Sequence, residues 1–120
     1  MLKVLLIEDD DTMLSLLKTL LEIEGFQVST FSGKNSGDPL TLIRQESPQV
    51  IILDVHLRYA SGLDITRQIR KDESLKSLPI LMTSGMDLRS QCLAAGANEF
   101  LLKPYMPDDL VRMIRGHSPQ

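Results

Sequence analysis

The chain has 120 residues, 42% of them hydrophobic, which is enough for one core and too short for two ordinary domains. A formal net charge of -3, with Lys and Arg scattered along the chain, leaves no basic stripe and argues against direct nucleic-acid binding. Cys92 is the only cysteine, so no internal disulfide can form and a reducing cytoplasm is the expected compartment. The apolar run 4–7 is too short for a signal peptide's apolar region, and no window approaches a membrane span.

A first strand is expected at 2–7, ending at Glu8, Asp9 and Asp10. Asp11 or Thr12 then caps a helix in which Leu14, Leu17 and Leu21 fall at core-facing spacing, ending near Gly25. A second strand is read at 27–31, and the stretch 31–39 is so rich in turn formers that the second helix is confined to about 40–46. The third strand, 50–54, closes on Asp54, and Gly62 precedes a third helix that carries Ile65 and Ile69 to about Lys71. A fourth strand at 79–83 closes on Thr83. It leads to a weak helix at about 87–95, with Leu88, Cys92 and Leu93 as its stripe and Gly96 as its stop. The fifth strand, 99–102, closes on Lys103. A last helix starts after Pro107, with Asp108 and Asp109 in its first turn, where the dipole favours negative charge, and Gly116 stops it. Residues 1–116 thus read as one domain and 117–120 as a tail or the start of a linker. Met13, Met86 and Met106 read as ordinary packing.

Strands that alternate with helices, each connection long enough for a crossover, argue for a parallel sheet covered on both faces. The strand ends then share one rim, where α/β folds bind ligands. Carboxylates, a hydroxyl and an ammonium gathered there suit a divalent cation together with a phosphoryl group. Taken singly, each of these residues has a plainer reading: Asp54 as a turn or helix cap, Thr83 as a β-branched strand residue, Lys103 as a solvated charge.

As an ordered set, Glu8 and Asp9, Asp54, Thr83, and Lys103 followed by Pro104 resemble the signature of response-regulator receiver domains of two-component signalling. Ser61, Gly62 and Leu63 after the central Asp, the Ala95, Gly96, Ala97 triplet, and the ending at 100–104 support the resemblance. It spans about residues 2–114. It implies a flavodoxin-like, doubly wound five-stranded parallel sheet of order 2-1-3-4-5, with the switch point between strands one and three. Glu8 and Asp9 would then lie beside Asp54. Like charges ~4 Å apart repel by roughly 4 kcal/mol at an effective dielectric of 20, a cost that Mg²⁺ would remove.

The resemblance further implies that Asp9 and Asp54 ligate Mg²⁺ directly, Glu8 through a water, and His56 through its backbone carbonyl. Asp54 is then the nucleophile that takes a phosphoryl group from a sensor histidine kinase or a histidine phosphotransfer protein. Lys103 and Thr83 hold the phosphoryl oxygens. Such a domain is no conventional enzyme, since it catalyses only its own phosphorylation and dephosphorylation. Phosphorylation is expected to draw in Thr83, to let Phe100 rotate inward, and to reshape the helix 4, strand 5, helix 5 face for an output partner, an effector domain or a second copy. The Lys103–Pro104 bond is expected to be cis.

Several positions depart from the family pattern. Arg58 stands where Pro is usual, which bears on the shape of that loop. His56 and Gly85 occupy positions that modulate access of water to the acyl phosphate, with His56 expected to make its lifetime pH-dependent. Ser84 replaces a small apolar residue and adds a donor near the site. Rival readings are a phosphate-independent pseudo-receiver, a phosphatase of the haloacid dehalogenase class, and a flavodoxin-like cofactor binder. His56 stands where the phosphatase needs a second acid, and acids stand where the cofactor binder needs a phosphate loop.

Overall fold

The computed structural model describes residues 1–32 and 37–117. Over them run β1 (Lys3–Ile7), α1 (Asp11–Ile23), β2 (Gln27–Phe31), α2 (Pro39–Glu46), β3 (Val50–Asp54), α3 (Gly62–Lys71), β4 (Ile80–Ser84), α4 (Arg89–Ala95), β5 (Glu99–Leu102) and α5 (Pro107–Gly116). All strand pairings are parallel and the order is β2-β1-β3-β4-β5, as the sequence implied.

The central strands are continuous apolar runs because both faces of the sheet are covered, and β3 and β4 are buried at every position. Alternation along each strand divides the core in two. Leu5, Ile7, Ile51 and Leu53 face Ile43, Ile65 and Ile69 on α2 and α3. Val4, Leu6, Val50 and Ile52 face Leu17 and Leu21 of α1 and Ile114 of α5 on the other side. Each fully buried side chain of this kind contributes about 1.5–3 kcal/mol.

Several boundaries differ from the sequence reading. Asp10, rather than Asp11 or Thr12, caps α1, its Oδ1 accepting from the amides of Thr12 at 2.9 Å and Met13 at 3.1 Å. Asp38 caps α2, with Pro39 in its first turn, so the helix starts one residue before the expected 40. Part of the turn-rich stretch expected at 31–39 lies outside the described residues. Gly62 is the first residue of α3 rather than its predecessor, and Ser61 is the cap. Helix α4 starts at Arg89 without a side-chain cap, and Leu93 is exposed rather than part of a buried stripe. Met86 and Met106 are also exposed, at 60% and 65%, and do not pack in the core. His117, read from sequence as tail, closes α5 and lies 3.3 Å from the Glu99 carboxylate. No helix among the described residues is long and apolar enough to cross a membrane.

The ends of β4 and β5 away from the rim are tied down by a side chain that sequence reasoning passed over. Arg70 on α3 donates to the carbonyls of Gly96 and Leu78, both at 2.8 Å, and to Asn98 Oδ1 at 3.0 Å. Gly96 adopts φ +117, and a Cβ there would meet the Arg70 side chain at 2.6 Å, so glycine is required on both counts.

Candidate functional site

Register brings the polar strand ends together. Asp54 pairs with Thr83, and Ile7 pairs with Leu53, so the chain leaving β1 puts Glu8 next to the end of β3. Glu8 and Asp54 are both 7% exposed and Thr83 is 2% exposed. Lys103, just past β5, sends its Nζ to within 3.1 Å of Glu8 Oε2 and 3.3 Å of Asp54 Oδ2. The Lys103–Pro104 bond is cis.

The electrostatics follow from crowding. Burial, and then the negative charge of Asp54, raise the proton affinity of Glu8 above the ordinary carboxylate range, and Lys103 opposes this. Burial pulls the Lys103 ammonium the other way, but Asp54 and Glu8 outweigh it and its pKa is raised. The pocket is therefore short of positive charge. Asp9 shows the same deficit: its Oδ1 is buried without a hydrogen-bond partner, while Oδ2 accepts from the backbone amide of Arg58. As they stand, the described acids do not form a ready-made cage of three ligands. Lys103 fills the space between Glu8 and Asp54 instead. The donors are carboxylate oxygens around an open cleft lined by Glu8, Asp9, Asp10, His56 and Arg58, a hard set suited to a divalent cation.

Around this centre, His56 is exposed, and its amide donates to Asp54 Oδ1 at 3.4 Å. The β3–α3 loop closes on itself through the His56–Ser61 bridge and the Gly62 amide, which donates to Val55 O at 2.8 Å. Arg58 lacks the stiffness of proline but uses an N–H that proline does not have, so the departure puts a donor on Asp9. Ser84 is buried, and its Oγ accepts from the Met86 amide at 3.0 Å, which turns it onto its own loop. Gly85 is exposed, with open space where a side chain would stand.

Phe100 is only 1% exposed, and the Arg89 guanidinium lies 5.5 Å from its ring centroid. The ring is therefore buried while Lys103 is bound to Glu8 and Asp54, where the resemblance implied inward rotation on phosphorylation. Without a hydroxyl to satisfy, the ring has no polar group holding it at the surface. Sequence reasoning missed Arg89 and the buried Tyr105 hydroxyl. An arginine opening a helix and a tyrosine between Pro104 and Met106 carry no motif.

Acids at the switch point of a sheet ordered 2-1-3-4-5 define a doubly wound domain of the flavodoxin type, with its site at the carboxyl ends of the strands. The chain belongs to the response regulator receiver domain family, whose model matches residues 4–115. It is 30% identical to protein PilH of Pseudomonas aeruginosa over 117 residues, covering 95% of each chain. It is 32% identical to the phosphate regulon transcriptional regulatory protein PhoB of Rhizobium meliloti, over 94% of this chain but 50% of that one. The chain thus spans about half the length of several transcriptional regulators it matches. Among solved structures, the chemotaxis protein CheY4 of Vibrio cholerae superposes with a TM-score of 0.86 at 26% identity, over 98% of both chains. The receiver domain of the sensor histidine kinase PA1611 of P. aeruginosa, which has magnesium coordinated in its active-site cleft, matches with a TM-score of 0.80 at 26% identity. That match covers 97% of this chain and 96% of the other. The pseudo-receiver reading finds no support in these relatives, and the family match displaces the phosphatase and cofactor-binder readings.

Proposed function

We propose that the chain is a cytoplasmic, phosphorylation-dependent switch in which Asp54 accepts a phosphoryl group from the phosphohistidine of a sensor histidine kinase or a histidine phosphotransfer protein. The strongest support is the Lys103 ammonium bridging the buried carboxylates of Glu8 and Asp54. An Asp54 oxygen attacks phosphorus as the N–P bond of the donor breaks, and the electron pair of that bond stays on the imidazole nitrogen. Lys103 moves onto a phosphoryl oxygen and the Thr83 hydroxyl binds another. Water then attacks phosphorus, restores the Asp54 carboxylate and releases inorganic phosphate. His56, Gly85 and Arg58 border the path that water takes.

Glu8, Asp9, Asp54 and the His56 carbonyl are the groups that would hold Mg²⁺, and the orphaned Asp9 Oδ1 favours that assignment. When bound, the ion supplies charge neutralisation at phosphoryl oxygens. The output is carried by Thr83 and Phe100 to the α4-β5-α5 face, where an effector domain, a partner protein or a second copy docks. No direct nucleic-acid contact is assigned to this segment.

Incubation with a small acyl phosphate, with and without MgCl₂, tests the proposal. The expected result is a Mg²⁺-dependent, hydroxylamine-sensitive label on Asp54 that Asp54→Asn abolishes without changing the circular dichroism spectrum. An acid-stable label that persists in Asp54→Asn would reject it.

A further inference from the structure

Helix α4 runs from the rim to the opposite end of the sheet, and its two ends are held very differently. The first turn follows the loop that leaves β4 after Thr83 and Ser84, and it has no side-chain cap. Leu88 packs partly on the core there, and the exposed Arg89 lays its guanidinium 5.5 Å from the Phe100 centroid. The Arg89 amide donates to Asp87 at 3.4 Å, a bond that stays within the same loop. A stack at an exposed site is weak, and it can slide because no directional bond has to break.

The far end is fastened to α3 and to the starts of β4 and β5. Arg70, half-buried on α3, donates from Nε to the Gly96 carbonyl at 2.8 Å and from Nη2 to Asn98 Oδ1 at 3.0 Å. Its Nη1 donates to the carbonyls of Leu78 at 2.8 Å and Lys76 at 3.0 Å. Asn98 Oδ1 also accepts from the Ile80 amide at 2.8 Å, so both strand starts and the stop of α4 share one network. A planar fork with every nitrogen engaged fixes angles as well as distances. A side chain at Gly96 would strike Arg70, so backbone and guanidinium fit as one part.

We propose that Arg70 is the fixed end of the switch: it pins the C-terminal end of α4, so the helix turns about Gly96 when its N-terminal end follows the Thr83 loop toward Asp54. This rests on the phosphoryl-transfer reading given above and adds a residue to it. Ser84 Oγ accepts from the Met86 amide at 3.0 Å, a bond that stiffens the loop so that it transmits the pull to α4 instead of absorbing it. Movement is then confined to the end of α4 beside Phe100, and a partner reads the change there rather than along the whole helix.

Amide hydrogen exchange followed by NMR tests this, because both ends carry bonded amides: Met86 and Cys92 toward the rim, Gly96, Ala97 and Asn98 at the other end. With acyl phosphate and MgCl₂, exchange at Met86 and Cys92 should change by about tenfold, and at Gly96, Ala97 and Asn98 by less than about twofold. In Arg70→Met both groups should change by about tenfold, while Asp54 labels at the natural rate, since Arg70 lies at the opposite end of the sheet from the site. Arg70→Lys, which keeps the charge but not the fork, carries the same expectation and takes its place if the methionine variant does not fold. Equal responses at both ends in the natural chain, or a one-ended response retained in a folded Arg70 variant, with Asp54 labelled, would overturn the role of Arg70 and leave phosphoryl transfer standing. A natural chain that takes no label at Asp54 would overturn both.

Discussion

Gly62→Ala is expected to damage both the fold and the acceptor, because the space for a methyl group at that position is taken by the backbone of Asp54 itself. A Cβ on residue 62 would stand 2.3 Å from the Asp54 carbonyl oxygen and 2.9 Å from Val55 Cα, about 1 Å or so inside ordinary contact for the nearer atom. No rotamer change relieves a clash between backbone atoms. Alanine gains about 0.5–1 kcal/mol over glycine in a helix, while overpacking a tight site costs about 1–3 kcal/mol, and rigid walls put this site at the upper end. The net loss is about 2–2.5 kcal/mol, or a fall of about 8–10 °C in Tm for a domain of this size.

Thermal unfolding followed by circular dichroism measures that fall, and acyl-phosphate labelling of the same samples measures the displacement of Asp54. Gly85→Ala is the control: it is also a glycine at the rim, but nothing lies within 4 Å of its Cβ position, so stability should change by less than about 0.5 kcal/mol. Melting of Gly62→Ala together with the natural chain, or equal losses in both variants, would refute the steric reasoning.

Arg58→Pro removes the amide that competes for Asp9, so Mg²⁺ affinity measured by isothermal titration should rise about tenfold; unchanged affinity would mean that the amide does not compete. The raised pKa of Lys103 means that its stabilising contribution is complete below the ordinary lysine value of 10.5 and is lost as pH climbs through the higher folded value. The advantage of the natural chain over Lys103→Met in urea unfolding should accordingly be constant from pH 7 to 10 and shrink above that; a steady difference to pH 12 would contradict it. Phe100→Ala should cost about 3–5 kcal/mol as a core truncation, and Arg89→Ala about 1 kcal/mol or less. Equal losses in denaturant titrations would show the guanidinium, rather than the core, to be what holds the ring.

β1 and β3 were legible as near-continuous apolar runs because both faces of the sheet are covered there, and Glu8 and Asp54 stand out where those runs stop, as Lys103 does after the shorter run of β5. Helix starts were less legible for an equally physical reason. In the run Asp9, Asp10, Asp11 and Thr12 every residue is a good cap by type, and only the geometry that lets Asp10 reach two amides decides among them. The contacts that complete the site were hidden because their chemistry is not written in residue type. Asp9 is held by a main-chain N–H, which any residue but proline supplies. Arg70 carries no motif either, yet its head group satisfies carbonyls at the far end of the sheet.

Parallel topology also explains why the site is left electrically unbalanced. Strands that all point the same way put every polar terminus on one rim, and here that rim receives Glu8, Asp9 and Asp54 against the single ammonium of Lys103. Burial first and the Asp54 charge second raise the proton affinity of Glu8, while the two acids together outweigh burial at Lys103. On the reading proposed above, a phosphoryl group on Asp54 would replace one negative charge with about one and a half to two and would draw Lys103 away from Glu8. Rearrangement must then come from donors that can still move. Phe100 is already seated and has no polar atom to offer. On the reading proposed above, the conformational signal would begin with Thr83 and the loop that Ser84 fastens to Met86, beside a Phe100 ring that is already buried.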